Sequence, residues 1–262
     1  MEREQRRTMF EQVPELYDRA RPTYPEELFD DLAALTGLRS GARVLEIGCG
    51  TGQATPALAR RGYSILCVEL GAGLAAVARR NLAPYPNVEI VNANFETWEP
   101  DHGDFDAVVA FTALHWIDPE LRYAKPARLL RDAGHLAVGG TKHVRRPDGD
   151  PFWLEVQEDY DAVAPDEDNE PPPFPETLES RREEIESGGE FEYVAWRTYL
   201  WNQAYTADEY LALLNTYSGN RAREDDQRED LYDRIRRRIE ARPDRSVTKT
   251  YLTMLNVARK RG

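Results

Sequence analysis

One stretch constrains the chain more than any other: Val44-Leu45-Glu46-Ile47-Gly48-Cys49-Gly50-Thr51-Gly52-Gln53-Ala54-Thr55. Residues 44–47 are mostly large and aliphatic, the pattern of a strand buried on both faces. Three alternating glycines follow. Glycine alone takes positive φ without steric cost and lets a ligand approach the backbone closely. A helix is expected over 53–61, with its first N–H groups turned toward the loop. Strand, glycine loop and helix start together make a nucleotide-type cradle.

The glycine spacing restricts the ligand. A dinucleotide fingerprint needs G-x-G-x-x-G. Counted from Gly48 the third glycine would fall on Gln53, and counted from Gly50 on Thr55, so neither register fits. The pattern present, Glu46-x-Gly48-x-Gly50-x-Gly52, closely resembles motif I of the class I S-adenosylmethionine-dependent methyltransferases. That resemblance implies a loop around the amino-acid and ribose parts of the cofactor, with Cys49, Thr51 and Gln53 in the same wall.

Other segments agree with this reading. Residues 64–69 form a second buried strand ending in Glu69, about twenty residues past the glycines, where a carboxylate accepts ribose hydroxyls. Leu70 follows it. After a third strand over 88–91 come Asn94, Phe95 and Glu96. Relatives of this class usually carry Asp at the position of Asn94, to accept from the adenine amino group. Asn94 can accept through its carbonyl oxygen but lacks the charge. Phe95 is expected against the purine, or as plain core.

A fourth strand over 106–111 ends at Phe111, and Thr112-Ala113-Leu114-His115-Trp116-Ile117-Asp118 follows. Ligands of doubly wound sheets bind beyond the carboxyl ends of the strands, where strand order reverses. Phe111, Thr112, His115 and Trp116 therefore face the reacting end. The A-L-H-W-I-D run, like Tyr17-Asp18-Arg19-Ala20-Arg21-Pro22-Thr23-Tyr24-Pro25 near the start, resembles the small-molecule branch typified by trans-aconitate and ubiquinone methyltransferases. The resemblance implies a lid carrying Tyr17 and Arg21 against the cofactor and Tyr24 toward the acceptor. His115 is either a general base, since histidine titrates near neutrality, or a structural residue that orients its loop. Arg19, Arg21 and Arg197 are candidate carboxylate clamps.

The expected architecture is α/β: a Rossmann-like, seven-stranded, doubly wound sheet with the last strand antiparallel and a small, mostly helical cap. Its parts are a lid segment (1–25), the cofactor-binding core (26–145), a cap insertion (146–190) and a C-terminal completion of the sheet with inserted helices (191–262). Within the core, a helix is expected to run through Leu129 and Leu130 to a stop at Gly134. In the cap, helices are expected over 151–163 and 175–187 around an acidic, proline-rich run. Its Trp153, Tyr160 and Phe174 are candidates for the acceptor wall, Trp153 foremost beside Tyr24 and Trp116. Strands are expected over 191–201 and 247–258, and Thr206 to Glu209 reads as a capping box.

Composition narrows the partners. Lys+Arg total 34 against 47 Asp+Glu, a net charge of −13, which disfavours nucleic acid and anionic membranes. Neither Cys49 nor Cys67 sits at a disulfide or metal-ligand spacing, so no metal is expected and a reducing, cytoplasmic setting is. No apolar run approaches the roughly 18 residues of a membrane span. The expectation is methyl transfer from S-adenosyl-L-methionine to a small molecule, carboxylate or hydroxyl favoured, releasing S-adenosyl-L-homocysteine from a monomer or homodimer. The rival readings are a nicotinamide-dependent oxidoreductase and a cofactor-binding fold without catalysis.

Overall fold

The computed structural model describes residues 13–165 and 169–262. Residues 1–12 of the expected lid and 166–168 of the acidic run lie outside the described residues. The strands are β1 (Arg43–Ile47), β2 (Ser64–Glu69), β3 (Val88–Asn92), β4 (Phe105–Phe111), β5 (Leu130–Val144), β6 (Phe191–Thr206) and β7 (Ser246–Lys260). They make one sheet in the order β3-β2-β1-β4-β5-β7-β6. β1 to β5 pair in parallel, and β7 lies antiparallel between β5 and β6. Strand order reverses between β1 and β4, which opens a crevice above their carboxyl ends.

Alternation along β1 divides two cores. Val44 joins Leu28, Phe29 and Leu32 on one face, while Leu45 and Ile47 join Val68, Val108 and Leu136 on the other. Both faces are covered, so the central parallel strands β1, β2 and β4 are mostly apolar. The first face is covered by α2 (Glu26–Thr36), which Gly37 ends in a left-handed cap. Ahead of it, Pro14–Ala20 forms a short α1; Pro14 is its first residue, where no N–H is needed. Helix α3 (Thr55–Arg60) starts two residues later than expected, because the glycine loop continues through Ala54. Helix α4 (Ala72–Leu82) links β2 to β3.

The structure corrects the sequence reading around residue 130. Helix α5 (Ala124–Leu129) stops at Leu129, and Leu130 already pairs with Phe105. Residues 131–134 form an excursion before His135 pairs with Ala107. Gly134 is therefore part of a strand irregularity and not a helix stop. A Cβ there would approach the carbonyl oxygens of Arg131 and Phe105 at 3.0 and 3.1 Å.

The cap is also organised differently. Its helices α6 (Phe152–Glu155) and α7 (Gln157–Val163) fall within the expected helical span, but 175–187 holds only a 3₁₀ turn (Pro175–Thr177) and α8 (Arg182–Glu186). Arg181, Arg182, Glu183, Glu184 and Glu186 leave that segment only Ile185 to bury. Beyond β6 come α9 (Ala207–Leu214), α10 (Ser218–Arg221) and α11 (Asp225–Glu240). Thr206 and Glu209 form the reciprocal capping box: Thr206 N donates to Glu209 Oε2 (2.8 Å), and Glu209 N to Thr206 Oγ1 (3.4 Å). Phe152, Trp153, Val156, Tyr210, Leu231, Ile235, Ile239 and Tyr251 share a third core. Residues 152–163 therefore pack with 205–251 as one helical layer, and the cap does not stand apart from the C-terminal region. No helix of the described residues is long and apolar enough to cross a membrane.

Candidate active site

Above the crevice lies a cavity of about 670 Å³, within the roughly 300–1,000 Å³ of small-molecule sites. Its floor is the glycine loop. Gly48 has φ +68°, and a Cβ there would stand 2.7 Å from the Ala113 Cβ. Gly50 has φ +61°, and its N–H donates to Glu69 Oε2 (2.9 Å), while Gly71 N donates to Oε1 (2.8 Å). The carboxylate at the end of β2 thus ties its own loop to the glycine loop. Each carboxylate oxygen can accept more than one donor, so the same group suits ribose hydroxyls.

The segment before the core straps this loop to the rest of the molecule. Asn81 Nδ2 on α4 donates to Asp18 Oδ1 (2.7 Å) and to the Thr51 carbonyl (3.0 Å). Arg21 Nη2 donates to the Thr216 carbonyl (2.8 Å), reaching the C-terminal helical layer. Tyr17 and Arg21 thereby enter the cavity wall, with the Arg21 guanidinium 4.4 Å from the Tyr217 ring centre and 5.0 Å from that of Tyr17. Tyr24 shares a hydrogen bond with Thr112 Oγ1 (2.9 Å). Thr112 has φ +56°, rare for a β-branched residue; its N–H donates to the Gly139 carbonyl (2.8 Å).

A 3₁₀ turn, Leu114–Trp116, follows β4 and carries His115 and Trp116 to the cavity, their ring centres 4.7 Å apart. Crowding by protein and the positive charges of Arg181, Lys142 and Arg122 hold the His115 pKa down to about 4. A ring held down in this way is a weaker proton acceptor than one poised near neutrality, which favours the structural alternative for His115 over the general base.

The cavity also collects Leu70, Phe95 and Phe111. Phe95 is buried under the Lys125 ammonium, 5.2 Å from its ring centre. Against the main cavity lies a second one of about 300 Å³, into which Glu46, Cys49, Gln53 and Tyr24 face. Burial pushes the Glu46 carboxyl up to about 7.

Other expected residues do not reach either cavity. Thr51 is buried and accepts from Gln53 Nε2 (2.5 Å), and Gly52 backs onto the Leu82 side chain. Asn94 Oδ1 accepts from Glu96 N (3.0 Å), and Glu96 Oε1 accepts from Asp118 N (3.0 Å). Both side chains brace loops, because a short polar side chain ahead of a turn finds a backbone donor first. Trp153 is corrected outright: it lies in the third core, and its indole N–H donates to the Thr248 carbonyl (2.7 Å). Tyr160 packs against the same core, and Phe174 lies under the Arg145 guanidinium (4.0 Å). Of the three clamp arginines only Arg21 enters a cavity; Arg19 and Arg197 are exposed elsewhere.

Sequence reasoning missed the wall built after residue 140. Lys142, Arg181, Tyr217 and Met254 line the main cavity, and Lys249 and Tyr251 line the second. One signal was present: Lys249 falls on the row of Val247, Tyr251, Thr253 and Leu255, a charge on an inward-facing row of a strand.

Comparison with known proteins agrees with this geometry. Residues 44–134 match the family model described as a methyltransferase domain. The matched residues run from β1 into β5, the part of the sheet that carries the glycine loop. An uncharacterized methyltransferase of Mycobacterium tuberculosis is 34% identical over 122 residues, 47% of this chain and 47% of that protein. The trans-aconitate 2-methyltransferase of Deinococcus radiodurans is 31% identical over 117 residues, 45% and 42% of the two chains. The chain spans about half the length of the curated relatives it matches. Among solved structures, a chain from Anaeromyxobacter dehalogenans, provisionally named a type II methyltransferase, shares the fold: TM-score 0.65, 24% identity, covering 91% of this chain and 97% of that one. The matched residues hold the glycine loop, Glu69, Thr112 and His115, while the wall after residue 140 lies outside them.

Proposed function

We propose that this chain is an S-adenosyl-L-methionine-dependent methyltransferase acting on a small molecule, with a carboxylate or hydroxyl as the methyl acceptor. The observation that carries this reading is Glu69, whose two oxygens hold Gly50 and Gly71 at the floor of the main cavity. The relatives support it: the trans-aconitate enzyme above and the demethylmenaquinone methyltransferase of Clavibacter sepedonicus, 29% identical over 136 residues, are both named for small-molecule acceptors.

The residues present fit the cofactor. Gly48 and Gly50 leave the loop without side chains where a ligand must lie closely, Glu69 suits the ribose, and Phe95 and Leu70 offer an apolar slot. Arg21 suits an anionic end. When bound, the cofactor supplies a methyl group on a sulfonium whose leaving group is a neutral thioether, so the protein need not create one. What remains for the chain is to hold the acceptor atom in line at ~3–3.5 Å and exclude water. Trp116 and Met254 supply apolar wall for that task, and Tyr17 with Arg21 closes the cavity from the N-terminal side.

Labelled S-adenosyl-L-methionine incubated with the protein and a size-fractionated extract tests the reading. Label entering the small-molecule fraction is expected, and alkaline release would identify a methyl ester. Label confined to protein or nucleic acid would count against a small acceptor.

A further inference from the structure

The second cavity carries two cations, Arg21 and Lys249, and the second of them has no part in holding the cofactor as described above. Lys249, near the start of β7, is only 3% exposed. Its ammonium is ringed by Trp153, Tyr210, Tyr217 and Tyr251, with centres 5.4–5.6 Å away. Ring faces offset part of the cost of burying a cation. They leave its protons with a single long partner, the Tyr217 hydroxyl at 3.5 Å. Arg21 also lies over the Tyr217 ring, 4.4 Å from its centre, and its Nε is buried with no hydrogen-bond partner. Among the described residues neither cation has a carboxylate within 4 Å, in a chain with 47 acids to 34 bases. The one acid in this wall, Glu46, accepts from Cys67 Sγ (3.7 Å) and is held toward its neutral form by burial. His143, on the rim, is kept neutral by burial and by Lys249. Lys142 adds a third positive charge from solvent.

Buried charges without partners are costly, and proteins keep them where a ligand supplies the countercharge. Tyr17, Tyr24, Phe111 and Tyr251 add flat aromatic wall to the same cavity. We propose that this second cavity is the acceptor subsite, and that it takes a carboxylic acid with a planar, one-ring-sized body, anchored by its carboxylate between Lys249 and Arg21. The proposal rests on the methyltransferase reading and names the acceptor class for it. A carboxylate could also come from the methionine end of the cofactor, because Gly50 and Cys49 border the same space.

The full chain saturated with S-adenosylhomocysteine is titrated calorimetrically with benzoate, phenylacetate and cinnamate, and with the amide of each. At least one acid should bind about tenfold or more tightly than its own amide, the size of a lost charge-assisted hydrogen bond. Lys249→Met should abolish that preference and leave S-adenosylhomocysteine affinity within about threefold. Equal binding of acids and amides by the wild type overturns the proposal, and this arm needs no folded variant. So does a Lys249→Met protein that loses S-adenosylhomocysteine about tenfold or more but binds its decarboxylated analogue normally; the cofactor's own carboxylate would then be the occupant. Should Lys249→Met fail to fold, Lys249→Arg must retain the acid preference. A wild type that binds no S-adenosylhomocysteine at all would instead sink the methyltransferase reading.

Discussion

The two sides of the cavity are built on different principles. On the side of the glycine loop, where we propose the cofactor binds, polar groups sit at the ends of short parallel strands and act through backbone: Glu69 holds two glycine N–H groups, and Thr112 is bound to Gly139. On the side proposed for the acceptor, the groups project from the first residues of a long antiparallel strand and lean on a helical layer. Lys249 and Tyr251 of β7 face α6 and α9 through Trp153 and Tyr210. Backbone sites demand particular residues at particular spacings. Side-chain walls demand only volume and charge, so the second half can change its chemistry while the first stays put.

Four measurements would break or sharpen this contrast. The largest effect is expected from the third core: Ile235→Ala, at a fully buried position, should cost about 2–5 kcal/mol by denaturant titration. Where the variant stays folded, acceptor turnover should suffer more than S-adenosylhomocysteine affinity. Equal losses would mean the two sides are one unit.

Glu46 comes next. Its carboxyl, ordinarily near 4.5, is raised to about 7 by burial. A raised carboxyl contributes its stability fully below the unfolded value and loses it as pH climbs through the folded one. Unfolding free energy should therefore fall by about 3 kcal/mol between roughly pH 4.5 and 8. Glu46→Gln should flatten that slope, and an unchanged slope would assign the titration to another group.

Glu69→Gln keeps the shape but removes the charge that Gly50 and Gly71 donate to. Calorimetry should show S-adenosylhomocysteine binding weakened by ~30–150-fold, the scale of about 2–3 kcal/mol for hydrogen bonds to a charged group. The smallest effect is expected for His115→Gln. With the ring neutral above about pH 5, turnover should fall less than about tenfold, short of the ~100-fold expected for a lost general base. The pH profile from 6 to 8 should keep its form; a limb near 6.5 that vanishes in the variant would restore His115 as the base.

The cofactor side was legible because its physics is local. Positive φ at Gly48 and Gly50, an acid at a strand end, and a strand buried on both faces each leave a mark within a few residues. At Asn94 the structure adds a contact the sequence did not report: its side-chain carbonyl accepts from Glu96 N two residues on, which spacing to the glycines does not encode. Trp153 was misplaced. A lone tryptophan after a composition change fits a cavity wall as well as a core, and only packing against Tyr210 and Phe152 decides between them.

By itself, then, the amino-acid order determined a doubly wound sheet, its switch point and the glycine-loop cradle, since strand burial and glycine conformation are properties of short segments. The tertiary structure alone decided which side chains meet beyond residue 140. Lys249 and Arg21 are 228 residues apart in the chain, yet they face one ring, Tyr217. That meeting depends on the β5–β7–β6 ladder and the helical layer closing together, and no local pattern encodes it.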